Sequence, residues 1–385
     1  MKIWLIQNFV SIYREKLFEA ISKTPGVDFT LILLTEGSLE YPREFDPSKL
    51  GFKAERVKGL TYRRGQTSRI SFNPGLLWKM LREKPDVMIA CGYSFATILT
   101  MLYKLMTGAP YVIWSESTKE TEKNFSRLRI MLRKRMINYS DGFVIAGELS
   151  REYVESFLPS GHDKKFFLSY NCSDKDFFFS ESEKYRHDED FINNFRARFP
   201  KKNMLFVGQL IERKGISQLL HAYKLLTQRC QDAVGLIMLG DGSLRSHVEN
   251  FKRENSLDHL YIEGMVDYKN IPKYYSFVDL SILLSIADPN PLVVFESLYC
   301  GVPVVCSNKA GNYYDFITER KNGCVVDPDD TKHIVECIKY FLDEADSGKV
   351  KEFSMKSVEM SNYAAAAKGF IDAARHVSGS GVRSK

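Results

Sequence analysis

Two carboxylates eight residues apart, Asp288 and Glu296, bracket the part of this sequence best suited to hold a large anion. Ser281–Leu284 is a short apolar run fit for a buried strand. Asp288-Pro289-Asn290-Pro291 then breaks it, because two prolines exclude both helix interior and sheet ladder. Asn290 suits an N-cap, and Pro291 the first helical position. A helix is expected over Leu292–Tyr299, ended by Gly301, and a second buried strand over Val302–Cys306. The first-turn N–H groups of Leu292 and Val293 have no carbonyl to bond within such a helix, so they can receive a phosphate. Asp288 and Glu296 would flank a diphosphate seated there, which is the outline of a site for a sugar nucleotide.

Three further segments carry polar groups at strand ends. In FVGQLIERKG (206–215), Gly208 lets the backbone pass close to a ligand, while Arg213 and Lys214 can reach a diphosphate. By itself the same segment also reads as a solvated charge pair at a helix start. LGDGSLR (239–245) reads as a structural turn with Ser243 capping the next helix. IEGMV (262–266) ends a strand at Gly264, where backbone groups could meet a flat base.

The elements that position these residues alternate in a regular way. Strands are expected at Lys2–Ile6, Phe29–Leu33, Val87–Ala90, Tyr111–Trp114, Gly142–Ile145 and Lys165–Ser169. Helical patterns intervene, among them Tyr13–Ile21, Phe95–Met106 and Arg127–Tyr139. The alternation resumes from Asn203 onward. It predicts an α/β protein of two doubly wound, Rossmann-like sheets facing each other across a cleft. The expected division is an acceptor-binding domain over 1–180, a charged linker over 181–200 and a nucleotide-sugar domain over 201–345. A helical segment over 346–377 and a disordered Gly/Ser-rich tail over 378–385 complete it.

The chain of 385 residues has a 44% hydrophobic and 26% charged composition, that of a soluble globular protein. No apolar run reaches the roughly 18 residues needed to span a bilayer. The seven cysteines show neither metal spacing nor a paired pattern, which points to a reducing, cytosolic compartment and to no metal. The net charge of +6 is uneven. Residues 1–170 hold 26 Lys and Arg against 18 Asp and Glu, a balance of +8. An anionic membrane surface or a phosphorylated acceptor fits this better than nucleic acid does. Seven of those cations fall within 119–135. There Leu128, Met131, Leu132 and Met136 share a helical spacing, consistent with a core-facing helix or with a peripheral membrane anchor at the inner face.

Taken together, the motifs resemble the C-terminal half of the retaining glycosyltransferases of the family 4 type (glycosyl transferases group 1), which adopt the GT-B fold. The resemblance covers roughly residues 203–328. It rests on Gly-x-Leu-x₃-Lys-Gly, Gly-Asp-Gly-x-Leu-Arg, a Glu-x₇-Glu-like pair at Asp288 and Glu296, and Cys-Gly-Val-Pro-Val-Val. More loosely, SYNCSD (169–174) resembles the family's exit from its first domain. The resemblance implies that Gly208, Gln209, Arg213, Lys214, Asn290, Leu292 and Val293 surround the donor diphosphate. It implies that Met265 meets the base through its backbone, that Glu296 holds the ribose and that Asp288 holds the donor sugar. Three positions depart from the pattern. Gln209 replaces a family arginine, Asp288 replaces a glutamate, and Pro291 replaces a glycine. In the N-terminal half, WSESTKE (114–120) ends a strand where many family members carry a histidine, and Glu116 is the nearest polar candidate for catalysis.

The resemblance therefore implies a retaining, metal-independent transfer of a sugar from a nucleoside diphosphate, UDP ahead of GDP, to a glycan or lipid-linked acceptor. Such a role belongs to cell-surface polysaccharide or lipid-linked glycan synthesis and calls for no cofactor. A sugar-nucleotide epimerase and a non-catalytic sugar-nucleotide binding protein are the alternatives.

Overall fold

The computed structural model describes residues 1–35, 50–64, 68–123, 126–230 and 233–380. It divides into two units, Met1–Asn171 with Asn362–Lys385, and Cys172–Ser361.

The strands of the first unit are β1 (Lys2–Gln7), β2 (Asp28–Leu33), β3 (Ala54–Arg56), β4 (Leu60–Arg64), β5 (Ser68–Phe72), β6 (Val87–Cys91), β7 (Tyr111–Ser115), β8 (Gly142–Ile145) and β9 (Lys165–Leu168). Seven of them form a parallel sheet in the order β3-β2-β1-β6-β7-β8-β9, while β4 and β5 pair as an antiparallel hairpin. The central strands β1, β6, β7 and β8 are buried over nearly their whole length. This is why they read as continuous apolar runs rather than alternating ones. Helices Gly75–Glu83, Phe95–Thr107 and Arg127–Tyr139 pack side by side on this sheet.

The second unit contains β10 (Lys202–Val207), β11 (Val234–Leu239), β12 (Leu260–Gly264), β13 (Leu280–Leu283), β14 (Val304–Ser307) and β15 (Gly323–Val326). Their order is β12-β11-β10-β13-β14-β15, again all parallel. Phe206, Leu220, Tyr223, Met238 and Ile334 are among the buried residues of its core.

The expected boundaries shift in three places. The stretch over 181–200 is not a linker, because helix Lys175–Arg186 and the turns after it are built into the second unit. Asp174 caps that helix, Arg186 donates to the Cys300 carbonyl at 2.6 Å, and Glu183 pairs with Lys351 at 2.9 Å. Phe191, Phe195 and Phe199 each contact Phe277, tilted, edge-on and stacked in turn. Their spacing of four makes an apolar stripe that the surrounding charges conceal in the sequence.

The helical segment expected over 346–377 is two helices, one in each unit. Ser347–Ser357 belongs to the second, while Tyr363–Ser380 packs on the first, against helix Ile12–Ser22 and strands β6–β9. Asn362 starts this last helix by accepting the Ala365 N–H. Phe370 then meets Trp114 edge-on at 5.0 Å. At Gly369 a Cβ would lie 2.1 Å from the Leu168 carbonyl, so only glycine allows the helix so close to β9. The helix reaches Ser380, inside the tail expected to be disordered; residues 381–385 lie outside the described residues.

The helix Arg127–Tyr139 also turns differently from its expected face. Met136 is buried and Leu132 half-buried, but Leu128, Ile130 and Met131 are exposed, and Arg133 points inward at 2% exposure. Arg133 lies over the Tyr93 ring at 4.3 Å, bonds Glu122 at 3.0 Å and donates to the Tyr153 hydroxyl.

Candidate functional site

In the second sheet the chain leaves β10 towards β11 on one side, then crosses back to β13 on the other. The crevice at such a switch point, outside the carboxyl ends of the strands, is where open α/β sheets bind ligands. Two loops meet there. The Arg213 carbonyl accepts the Ile286 N–H at 2.9 Å, and Arg213 Nη1 donates to the Ala287 carbonyl at 3.2 Å. Gly215 has φ +68°, and a Cβ on it would fall 1.9 Å from the Leu284 carbonyl, so the motif glycine is required by this contact. The Gly-Asp-Gly turn braces the same loop: Leu210 N–H donates to Asp241 O, and Leu244 N–H donates to Leu210 O.

The charged residues gather on this frame. Lys214 Nζ lies 2.5 Å from Asp288 Oδ2, and Arg213 Nη1 lies 3.8 Å from the same oxygen. A Cβ on Gly208 would come within 3.8 Å of the Lys214 side chain, which places this glycine beside the cation. The Asp288 backbone is stitched to the loop after β14, donating to Lys309 O at 3.3 Å and accepting from Gly311 N–H at 2.8 Å.

The helix Leu292–Tyr299 forms as expected, with one correction to its start. Pro291, in extended conformation, is the flanking residue, and Asn290 is not the cap. Proline holds φ near its helical value but here takes an extended ψ of 123°, so the helix begins one residue later than a proline at the first helical position would give. Leu292 and Val293 therefore occupy the first two helical positions, half-buried, with their N–H groups at the helix start. Asn290 is buried instead, and neither atom of its side-chain amide has a hydrogen-bond partner. Ser285 Oγ, Asn308 Oδ1 and Asn312 Oδ1 are also buried without partners. All four lie in the loops after β13 and β14. Buried polar atoms left unbonded are rare in folded proteins, and a polyhydroxylated, anionic ligand would satisfy them.

Glu296 sits one turn into the helix and is buried, accepting the Ser173 hydroxyl at 2.7 Å. Burial pushes its carboxyl up to about 7, with the Ser173 bond opposing the shift. The Tyr268 hydroxyl is pushed well up by its own burial and by the Glu296 charge. Its ring stacks on Phe177 at 5.7 Å. Ser173 lies in the SYNCSD segment without a role expected of it, and Tyr268 was not singled out in the sequence, since nothing near either in the chain points to Glu296. Gln209 follows β10 and is half-buried, and Met265 follows β12 with 73% exposure. Both lie at the carboxyl edge of the sheet, Met265 two strands from Gln209.

Glu116 belongs to the first unit. It follows β7, and its Oε1 lies 2.5 Å from Arg14 Nη2. Arg14 in turn lies over Trp114 at 4.4 Å. The carboxylate is held in an ion pair, which is not the arrangement of a free general base.

Residues 188–359 match the profile of the family described as glycosyl transferases group 1. An uncharacterized glycosyltransferase of Methanocaldococcus jannaschii is 24% identical over 60% of the chain and 57% of its own length. An α-1,4-N-acetyl-D-galactosaminyltransferase of Campylobacter jejuni, named for its diNAcBac-PP-undecaprenol-linked substrate, is 25% identical over 70% of the chain and 68% of its own length. In general the chain spans about half the length of the curated relatives it matches. Among solved structures, sucrose-phosphate synthase from Thermosynechococcus elongatus superposes with TM-score 0.74 at 17% identity, covering 99% of the chain and all of its own. Anabaena HepE in complex with UDP gives 0.76 at 15% identity, covering 97% of the chain and 99% of its own. The fold is GT-B.

Proposed function

We propose that this chain, whose residues 188–359 match the glycosyl transferases group 1, moves a sugar from a nucleoside diphosphate to an acceptor hydroxyl with retention of configuration. The observation that carries the reading is the charge arrangement at the switch point. Lys214 and Arg213 converge on Asp288, three residues before Pro291, which caps a helix whose first two residues are Leu292 and Val293. Together these groups can stabilise a departing diphosphate without a metal ion. Asp288 and Asn290 are then placed for the sugar hydroxyls and Glu296 for the ribose. In a retaining reaction the leaving phosphate can itself take the acceptor proton on the same face. UDP is the favoured carrier, since HepE was solved with UDP and with UDP-glucose.

Calorimetry with UDP, GDP and a panel of their sugars tests the donor site directly, followed by NMR of the anomeric centre in the product. Absence of binding by every nucleotide would overturn the reading. Conversion of the sugar with no acceptor present would favour an epimerase, and tight binding without turnover a sugar-nucleotide binding protein.

The acceptor we infer is a glycan carried on a lipid at an anionic membrane surface. Among the described residues, no helix is long and apolar enough to cross a membrane, so the contact would be peripheral. Leu128, Ile130 and Met131 are exposed beside Arg127, Arg129, Lys134 and Arg135. The neighbouring helices expose Trp78, Leu102, Leu105 and Met106. Exposed apolar side chains that share a helix with exposed cations suit a bilayer with acidic headgroups. Each cation near such a surface contributes on the order of 1 kcal/mol. Co-sedimentation with anionic vesicles should fall when Leu128, Met131, Lys134 and Arg135 are changed to Ser, and should fade in high salt. Equal partitioning of the wild type onto neutral and anionic vesicles, or none at all, points instead to a soluble acceptor.

A further inference from the structure

Cysteine spacing in the sequence suggests no metal, yet the fold brings Glu319, Cys324 and Cys337 together. Their ligand atoms, one carboxylate oxygen and two sulfurs, all lie within 4.8 Å of one another. Cys324 is fully buried in β15, Cys337 is buried on helix Thr331–Lys339, and Glu319 stands at the exposed turn before β15. Donor atoms around a tetrahedral zinc-type ion are about 3.4–3.8 Å apart, given metal–sulfur and metal–oxygen bonds of about 2.3 and 2.0–2.2 Å. Side-chain adjustments of ordinary size bring the three atoms to that geometry.

We propose that Glu319, Cys324 and Cys337 form a binding site for one zinc-type divalent cation. Two thiolates select a soft or borderline d¹⁰ ion over magnesium or calcium. Glu319 is oriented for the task, because its Oε2 accepts the Val325 N–H at 3.2 Å and leaves the carboxylate turned towards the thiols. Outer contacts of this kind fix metal ligands in place. The exposed side of the site leaves the fourth position to water or an external ligand. Binding displaces the two thiol protons, so affinity rises with pH. The ion would tie β15 to the helix that follows it and stabilise the second unit by mass action. This inference is independent of the donor site.

The test uses the full chain under reducing conditions, titrated with Zn²⁺ and with Cd²⁺, whose thiolate charge-transfer absorption reports sulfur ligation. The expected result is one ion per chain, a rise in Tm and release of about two protons. Cys324→Ser and Cys337→Ser should abolish the absorption. Glu319→Gln, at an exposed position where folding is not at risk, should weaken binding at least tenfold. Cys230→Ser, outside the cluster, should bind as the wild type does. Absence of equimolar binding by the wild type overturns the proposal. So does binding that survives the double cysteine variant, or a disulfide between the two cysteines that persists in reductant. UDP calorimetry on the same samples shows separately whether the donor site is intact.

Discussion

Changing Glu296 to glutamine separates the electrostatic cost of this side chain from its packing. The carboxyl is buried, accepts one hydroxyl and is raised from 4.5 to about 7 by that burial. An unfolded chain releases this proton near 4.5 and the folded chain near 7, so between those values the folded state holds more protons. Folding therefore bears no penalty from Glu296 below about pH 4.5 and a growing one as the pH rises through 7. Above that the penalty is constant at roughly 3 kcal/mol. A glutamine keeps a carbonyl oxygen for Ser173 but never ionises. The stability of Glu296→Gln relative to wild type should thus grow by roughly 2.5 kcal/mol between pH 5 and pH 8. For a unit of this size that corresponds to about 5–10 °C in Tm. Thermal melts of both proteins at pH 5, 6.5 and 8, without nucleotide, measure it. A stability difference that does not change with pH, or a glutamine variant less stable at pH 8, refutes the argument.

Lys214→Ala removes a charge-assisted contact of roughly 1.5–3 kcal/mol, so UDP should bind about tenfold more weakly or worse by calorimetry. Asp288→Asn breaks the pair that holds Lys214 in the free protein; UDP affinity should stay level or rise, while turnover with saturating donor falls. Arg133→Met should lower stability by on the order of 3 kcal/mol, because it strips a buried cation from Glu122 and Tyr153. Lys134→Ser, at an exposed position on the same helix, should melt within a degree or two of wild type.

What was legible in the sequence was whatever local pattern decides. The strands flanking the donor loops are buried on both faces, so their apolar runs stand out. The Gly-rich turns between them must satisfy contacts as tight as that of Gly215 with Leu284. The hairpin β4–β5 escaped notice because each strand is short and carries an alternation of just two apolar residues, Leu60 and Tyr62 in one and Ile70 and Phe72 in the other, and Leu60 and Tyr62 are exposed. The helix Lys175–Arg186 was hidden by charge, although Phe178 is fully buried. Contacts between distant residues were beyond reach. Nothing in the chain links Ser173 to Glu296, Arg14 to Glu116, or Glu319 to Cys337 until the sheets bring them together. The inward turn of Arg133 belongs with these, since only Tyr93, Glu122 and Tyr153 make burial of that cation tolerable.

The two carboxylates of the Asp288 and Glu296 pair look alike in the sequence, and their surroundings make them different instruments. Asp288 faces two cations at the mouth of the switch-point crevice, so its negative charge is already balanced when no ligand is bound. In the donor reading proposed above, a diphosphate arriving at the helix start would compete for Lys214 and would release Asp288 to accept hydroxyl groups from the sugar, making donor binding and sugar recognition one exchange of partners. Among the described residues no cation pairs with Glu296, and burial pushes its carboxyl up to about 7. In the proposed reading a ribose hydroxyl would add a further donor to a carboxylate that accepts the Ser173 hydroxyl. Nucleotide binding should therefore favour the ionised form and release a proton near pH 7, as hydrogen bonds to the charged form lower a carboxyl's pKa. Calorimetry of UDP binding in buffers of different ionisation heat reads that proton directly. Proton release that disappears in Glu296→Gln places the ribose on this carboxylate, and release that persists unchanged assigns the proton to another group.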